Sequence, residues 1–244
     1  MSTVYLLSIR QLLGKWRLLI LLGLSALPLI PALVAAGQSD KPTPAHLDDL
    51  LLDGMLASAI LPVVVLAVAT AAFGNEVEDK TLGNLTLTPV LRWRIVAAKL
   101  GAAVTVAGPF LVASAFASVL VGFSGADIGG AGKAALAAAI AFLVGVVVYS
   151  AVFLWAGLVT SHPLGFGLLY VFVWEGLFAS FVDRIKYLSV REYTLSIVAG
   201  IDSSRFTGPD QHVISSTAGI VGAAIVFCLF VLLAVRRIRT MDVV

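Results

Sequence analysis

The chain has 244 residues, 60% of them hydrophobic and 12% charged, with a mean hydropathy of +1.04. Soluble domains carry about a quarter charged residues, so this apolar surplus excludes a single compact soluble domain and makes lipid the natural solvent. The net charge of +2 gives no footing for nucleic acid, and a lone cysteine, Cys228, leaves no disulfide framework and no cysteine-based metal site.

In chain order, residues 1–17 set Tyr5, Ile9, Leu12, Leu13 and Trp16 against Arg10, Gln11, Gly14 and Arg17. That stripe predicts an amphipathic helix lying in the membrane interface. Ala35-Ala36-Gly37 resembles a signal-peptide cleavage site, but the apolar run before it exceeds the usual 7–15 residues and reads as a span. Six segments are long and apolar enough to cross a bilayer, which takes about 20 residues: 18–36, 54–74, 100–123, 134–159, 163–182 and 213–235. Glu175 is the only charged residue inside any of them. Pro28, Pro31, Pro62 and Pro109 fall within spans, where neighbouring helices can satisfy the freed carbonyls. The runs are continuously apolar, which argues against a barrel built from alternating strands. The fold expected is therefore an all-α integral membrane domain covering residues 1–244.

Between the spans, 37–53 reads as an irregular loop with Pro42, Pro44, Asp40, Asp48 and Asp49, and 124–133 as a Gly-rich turn. Residues 160–162 make a tight turn. The longest connection, 183–212, mixes Tyr187, Leu188, Tyr193 and Leu195 with Arg184, Lys186 and Arg191, a pattern suited to a helix at the membrane interface. Its later part, with Gly200, Asp202, Gly208 and Pro209, reads as loop. An even number of spans puts both termini on one side. Arg10, Lys15, Arg17, Lys80, Arg92, Arg94, Lys99, Arg236, Arg237 and Arg239 gather on that side, against six basic residues on the other. The positive-inside rule makes the first side cytoplasmic, and the protein a multi-pass one of the cell membrane.

The most informative stretch is the cytoplasmic loop 75–99. Glu76, Glu78 and Asp79 crowd the exit of the second span, Leu82 and Leu85 share one side of a short helical turn, Pro89 ends it, and Arg92, Arg94 and Lys99 lead back into the membrane. A polar hairpin with exposed apolar residues reads as a docking surface for a cytoplasmic protein. This stretch resembles the type-2 ABC-transporter permease family, through Glu76, Glu78, Asp79, Thr81, Leu82, Leu85, Thr88, Pro89, Val90, Arg92 and Lys99. Lys80 stands where that family usually has Gly. The resemblance implies a membrane-spanning subunit of an ATP-driven exporter, working as a pair with a second permease copy and with two ATP-binding subunits that hold ATP and Mg. It implies that Glu76, Glu78, Asp79, Thr81, Leu82, Leu85, Pro89 and Arg92 couple the spans to the ATPase. It also implies that the outer segment 183–212, between the fifth and sixth spans, is partly re-entrant.

No Gly-x-x-x-x-Gly-Lys-Ser/Thr motif occurs in the chain, so the ATPase is expected on a separate polypeptide, with no catalytic, cofactor or metal residues here. A non-ABC carrier or channel is the alternative from another class. It would need polar groups along a path through the bilayer, and Ser58, Thr70, Thr105, Ser114, Ser118 and Ser150 read equally well as helix-packing residues. Gly122-Phe-Ser124-Gly125 resembles the serine motif of rhomboid intramembrane proteases, with His212 on the same side. Glu175, about 16 Å into its span, reads as a structural hydrogen-bonder, a pathway group or the site of a bend.

Overall fold

The computed structural model describes residues 2–38, 42–78, 91–124, 128–160, 162–173, 187–207 and 213–240, with backbone alone at 2–3, 74–78 and 128–129. All regular elements among these residues are helices. Five stretches are long and apolar enough to cross a membrane: Lys15–Gly37, Pro44–Phe73, Arg92–Phe123, Gly130–Val159 and Ser216–Thr240; Pro163–Val173 is a shorter apolar helix.

The N-terminal helix α1 (Ser2–Leu12) packs against the third span. Leu12 is buried there, and the Tyr5 hydroxyl shares a 2.8 Å hydrogen bond with Thr105 Oγ1. Tyr5, Ile9 and Leu12 thus turn toward protein, while Leu6, Leu7, Leu13 and Trp16 face outward, Trp16 being 80% exposed. The first span is two helices, α2 (Lys15–Ala26) and α3 (Leu29–Gly37), broken where Pro28 removes a donor.

The second span departs from the sequence reading. Residues 44–53, expected as irregular loop, are helical: α4 (Pro44–Leu47) runs into a π-helix (Asp48–Ile60) and then α5 (Leu61–Glu78). Pro44 occupies the first turn and the Thr43 side chain accepts from His46 N at 3.4 Å, which starts the helix. Leu47, Leu51 and Leu52 are buried along it, and Asp48 is accommodated because a basic partner meets it. Charge had been counted against helix here; burial with a counter-charge removes that objection.

The centre of the bundle is α6 (Arg92–Phe123) against α7 (Ile128–Val159). Both are longer than expected, so the loop predicted at 75–99 is helical at 75–78 and 92–99, and the turn predicted at 124–133 is helical from Ile128. Ala102, Ala103, Ala107, Ala134, Ala138 and Ala141 are fully buried, since small residues let membrane helices approach closely. Beyond the 160–162 turn lies α8 (Pro163–Leu169), then α9 (Val190–Ile201) and α10 (Ser216–Thr240). A Cβ on Gly145 of α7 would sit 2.7 Å from Thr194 Oγ1 and 2.8 Å from Leu61 Cδ2, so three helices converge where only hydrogen fits. Leu19, Ile20 and Leu33 of the first span and Ile220, Ile225 and Leu232 of α10 are exposed, an apolar belt suited to lipid contact.

Candidate functional site

The bundle has two differently built ends. At one, Ala72, Phe73, Ile95, Val96, Leu154, Leu158, Ala234 and Ile238 form a small apolar cluster joining α5, α6, α7 and α10. Lys99 lies at this end, 1% exposed. Its Nζ donates to the Ala72 carbonyl and stands 4.5 Å over the Phe73 ring. An ammonium taken out of water needs such partners, and these belong to the preceding span. Lys99 therefore ties the exit of α5 to the entrance of α6, the two helices that residues 79–91 link in sequence. Arg94 stacks on Trp93 at 5.5 Å, and Arg92 is the first residue of α6. Glu76 and Glu78 fall on the last turn of α5, with side chains outside the described residues; Asp79, Thr81, Leu82, Leu85 and Pro89 lie outside them altogether. Lys99 entered the sequence reading only as part of a resemblance; which groups it would meet could not be read from its position 27 residues after Ala72.

At the other end, charged groups pair across elements that the sequence separates widely. Arg191 Nε donates to Asp53 Oδ1 at 2.6 Å, joining α9 to the π-helix. Arg205 Nη1 lies 3.5 Å from Asp48 Oδ1, Phe206 N donates to Asp48 Oδ2 at 3.0 Å, and the Arg205 guanidinium stands 4.3 Å over the Phe123 ring. Arg205 Nε also reaches Asp202 Oδ2 at 3.5 Å, and Lys133 Nζ lies 3.6 Å from Asp202 Oδ1. Asp48 and Asp202 are almost fully buried. Burial pushes the Asp202 carboxyl up, but hydrogen bonds from Ser204 N and Oγ and the charges of Arg205 and Lys133 outweigh it, holding it below the usual carboxylate range. Phe206 takes a left-handed φ of 55°, which turns the chain so that its N–H meets Asp48. None of these residues was singled out from sequence as a partner of another. The usable signal was three acids, Asp48, Asp53 and Asp202, beside long apolar runs, with basic residues on the same side to match.

The profile of ABC-2 family transporter proteins matches residues 15–174 of the chain. The chain belongs to that family. No curated relative matches it. The matched stretch of this ABC-2 permease holds the first four spans, the hairpin and Lys99; it also holds Asp48, Asp53 and Lys133, whereas their partners Arg191, Asp202 and Arg205 lie beyond it. In this family the chain is a membrane component of an ABC transporter.

The polar residues within the permease's spans are engaged in packing. Thr70 Oγ1 donates to Leu66 O at 2.6 Å, Thr105 Oγ1 to Gly101 O at 2.8 Å and Ser114 Oγ to Ser25 O at 2.5 Å. Ser58 bonds the Gly54 carbonyl in the same way. Ser118 and Ser150 are fully buried and make no hydrogen bond among the described residues. Ser124 Oγ donates to Val121 O at 2.7 Å, closing the end of α6, an arrangement that serves the helix and not a nucleophile, which needs a base in reach. His212 and Glu175 lie outside the described residues.

Proposed function

We propose that this chain is the permease subunit of an ATP-driven ABC exporter, working beside a second permease copy and on two ATP-binding subunits that hold ATP and Mg. The hairpin 75–99, through Glu76, Glu78, Asp79, Thr81, Leu82, Leu85, Pro89 and Arg92, docks on the ATPase. The observation that carries this reading is the Lys99 tie to the Ala72 carbonyl. A force delivered to the hairpin reaches α5 and α6 together, because their ends are joined at its base. The small-residue packing of the interior supports a pathway formed between copies, since the Ser and Thr hydroxyls described within the first four spans bond helix carbonyls or are buried.

Six crossings fit the two ends. Leu158, near the close of α7, sits in the Lys99-end cluster, whereas Asp202 pairs with Lys133 at the start of α7. A further crossing between them accounts for this, with Pro163–Val173 as its described part. Thr194 meets Gly145, twelve residues or about 18 Å along α7 from Lys133, a depth that supports a re-entrant reading of α9. With the termini cytoplasmic, the Asp202 end faces outward. Single cysteines at Ser2 and at exposed Ser203, in a Cys228→Ala background, test the orientation: an impermeant thiol reagent on intact cells should label Ser203→Cys alone, and labelling of Ser2→Cys alone reverses the placement.

Docking is tested by Glu76→Arg and Glu78→Arg, which should weaken assembly with the ATP-binding subunit or uncouple hydrolysis from transport, with Ser203→Arg as the control at the opposite end. Normal assembly and transport in both hairpin variants would defeat the proposal.

A further inference from the structure

Two cavities adjoin where α9 meets the beginning of α10. The larger, about 570 Å³, lies among α7, α9 and α10, with Val144, Val148, Ile197, Ile220, Ala223 and Phe227 on its walls. That volume falls in the range of about 300–1,000 Å³ usual for small-molecule sites. The smaller, about 320 Å³, is bounded by Ser196, Phe206, Ser215 and Ser216. Gly200 and Ser216 line both. A Cβ on Gly200 would lie 2.5 Å from Ser216 Cβ, so the two helices touch there.

The dimensions of the larger cavity identify its occupant. From Ser216 to Phe227 is eleven residues of α10, about 16 Å of helix, and one leaflet is half of a hydrocarbon core about 30 Å thick. The apolar cavity thus has the depth of one leaflet. The polar chamber stands at its Asp202 end, where the water boundary of that leaflet falls. The larger cavity opens beside Ile140 and Ile220, both more than half exposed, in the same belt that faces lipid.

We propose that the paired cavities are a binding site for one membrane lipid from the leaflet at the Asp202 end, its acyl chain between α7, α9 and α10 and its head group in the serine-lined chamber. The Ser215 and Ser216 hydroxyls recognise that head group by donating to ester and phosphate oxygens, whereas the Ser196 hydroxyl is given to the Tyr193 carbonyl. Only the naming of that leaflet as the outer one rests on the proposed orientation; the site itself needs neither ATP nor a partner subunit.

The full chain reconstituted in phosphatidylcholine vesicles doped with a phosphatidylcholine carrying a diazirine near the middle of its acyl chain tests this by illumination and peptide mapping. Ile197 is 6% exposed, so lipid at the protein's outer surface does not reach it. The expected result is label on the α9 peptide containing Ile197, falling several-fold in Val147→Trp and in Ala224→Phe, which fill the cavity from its α7 and α10 walls, with Leu232 labelled equally in all three proteins. Monodisperse elution of each variant shows that it is folded. Label on Leu232 with none on Ile197 in the unaltered chain would overturn the proposal without any variant. So would Ile197 label that survives both substitutions in folded protein. A second copy as occupant shows itself by cross-linking between Ile220→Cys chains together with an unlabelled Ile197, and that outcome also overturns it.

Discussion

The two ends of this bundle solve the same problem, charge beside lipid, in opposite ways. At the Asp202 end, acids and bases from the π-helix, the start of α7, α9 and the 202–206 turn satisfy one another, so the elements are cross-linked at several points. At the Lys99 end, among the described residues, the Lys99 ammonium joins two spans, with the Ala72 carbonyl and the Phe73 ring among its partners. The first arrangement resists displacement of any one element because each charge would be left without its partners. The second holds two helices as a pair that packs on α7 and α10 through apolar side chains, contacts that can slide without stranding a charge. A transporter driven from one side of the membrane needs such an asymmetry: a firm end to hold the bundle together and a lever at the driven end.

The largest expected effect comes from breaking the firm end. Asp48→Arg places two cations together in a buried site, and loss of one partner of a buried pair costs about 3–5 kcal/mol. Folded yield in detergent should collapse. Asp48→Leu combined with Arg205→Leu should recover part of it, because neither member is left without the other and Asp202 keeps Lys133 and Ser204; a double variant worse than both singles would mean that the pairing does not hold this end. Asp48, which the sequence alone places in a loop, is the position where the structure predicts most.

Lys99→Met probes the lever. The Ala72 carbonyl lies within α5 and keeps its helical environment, while a hydrogen bond from a charged group contributes about 1.5–3 kcal/mol, partly offset because a cation no longer has to be buried. Thermal stability should therefore fall only modestly, whereas transport per ATP hydrolysed should drop several-fold. Lys99→Arg should restore little if a compact point charge is what the site fits. Equal losses of stability and coupling would reduce Lys99 to a packing residue.

How much of this was legible in advance follows from the range of each interaction. Apolar runs of about twenty residues announce spans directly, and α7 ends at Val159 and α8 begins at Pro163 where Thr160, Ser161 and His162 interrupt them in sequence. The hairpin was recognisable because its residues are neighbours in sequence. The Asp48–Arg205 pair was not, since 157 residues separate its members and only the packing of α9 against the π-helix brings them together. The same blindness placed the beginning of the second span near residue 54: an acid in an apolar run reads as a loop until its counter-charge is known. Lys99 shows the intermediate case, with its residue type visible and its partner hidden.

A smaller effect is expected at the membrane surface of the Lys99 end. Trp16 is 80% exposed and next to Lys15 and Arg17, so Trp16→Asp should lower membrane yield more than Gln11→Asp; equal yields would mean that Trp16 does not contact the lipid interface. The smallest concerns acid. Asp202 is held below the usual carboxylate range, so the stability it contributes is present above its unfolded value, about 3.9, and is lost as pH falls through the lower folded value. Thermal scans of Asp202→Asn should be less stable than the unaltered chain near neutrality and converge with it in strong acid. A gap that persists unchanged into strong acid would assign the role of Asp202 to shape and not to charge.

The central claim is that the hairpin above Lys99 meets the ATPase. Place a single cysteine at Leu85 in the Cys228→Ala chain, assemble it with the ATP-binding subunit in vesicles, and treat with a short bifunctional cross-linker in the presence and absence of ATP. The account predicts a covalent adduct between Leu85→Cys and the ATP-binding subunit whose yield changes with ATP, and none from Ser203→Cys at the opposite end; an adduct from Ser203→Cys with none from Leu85→Cys would contradict it.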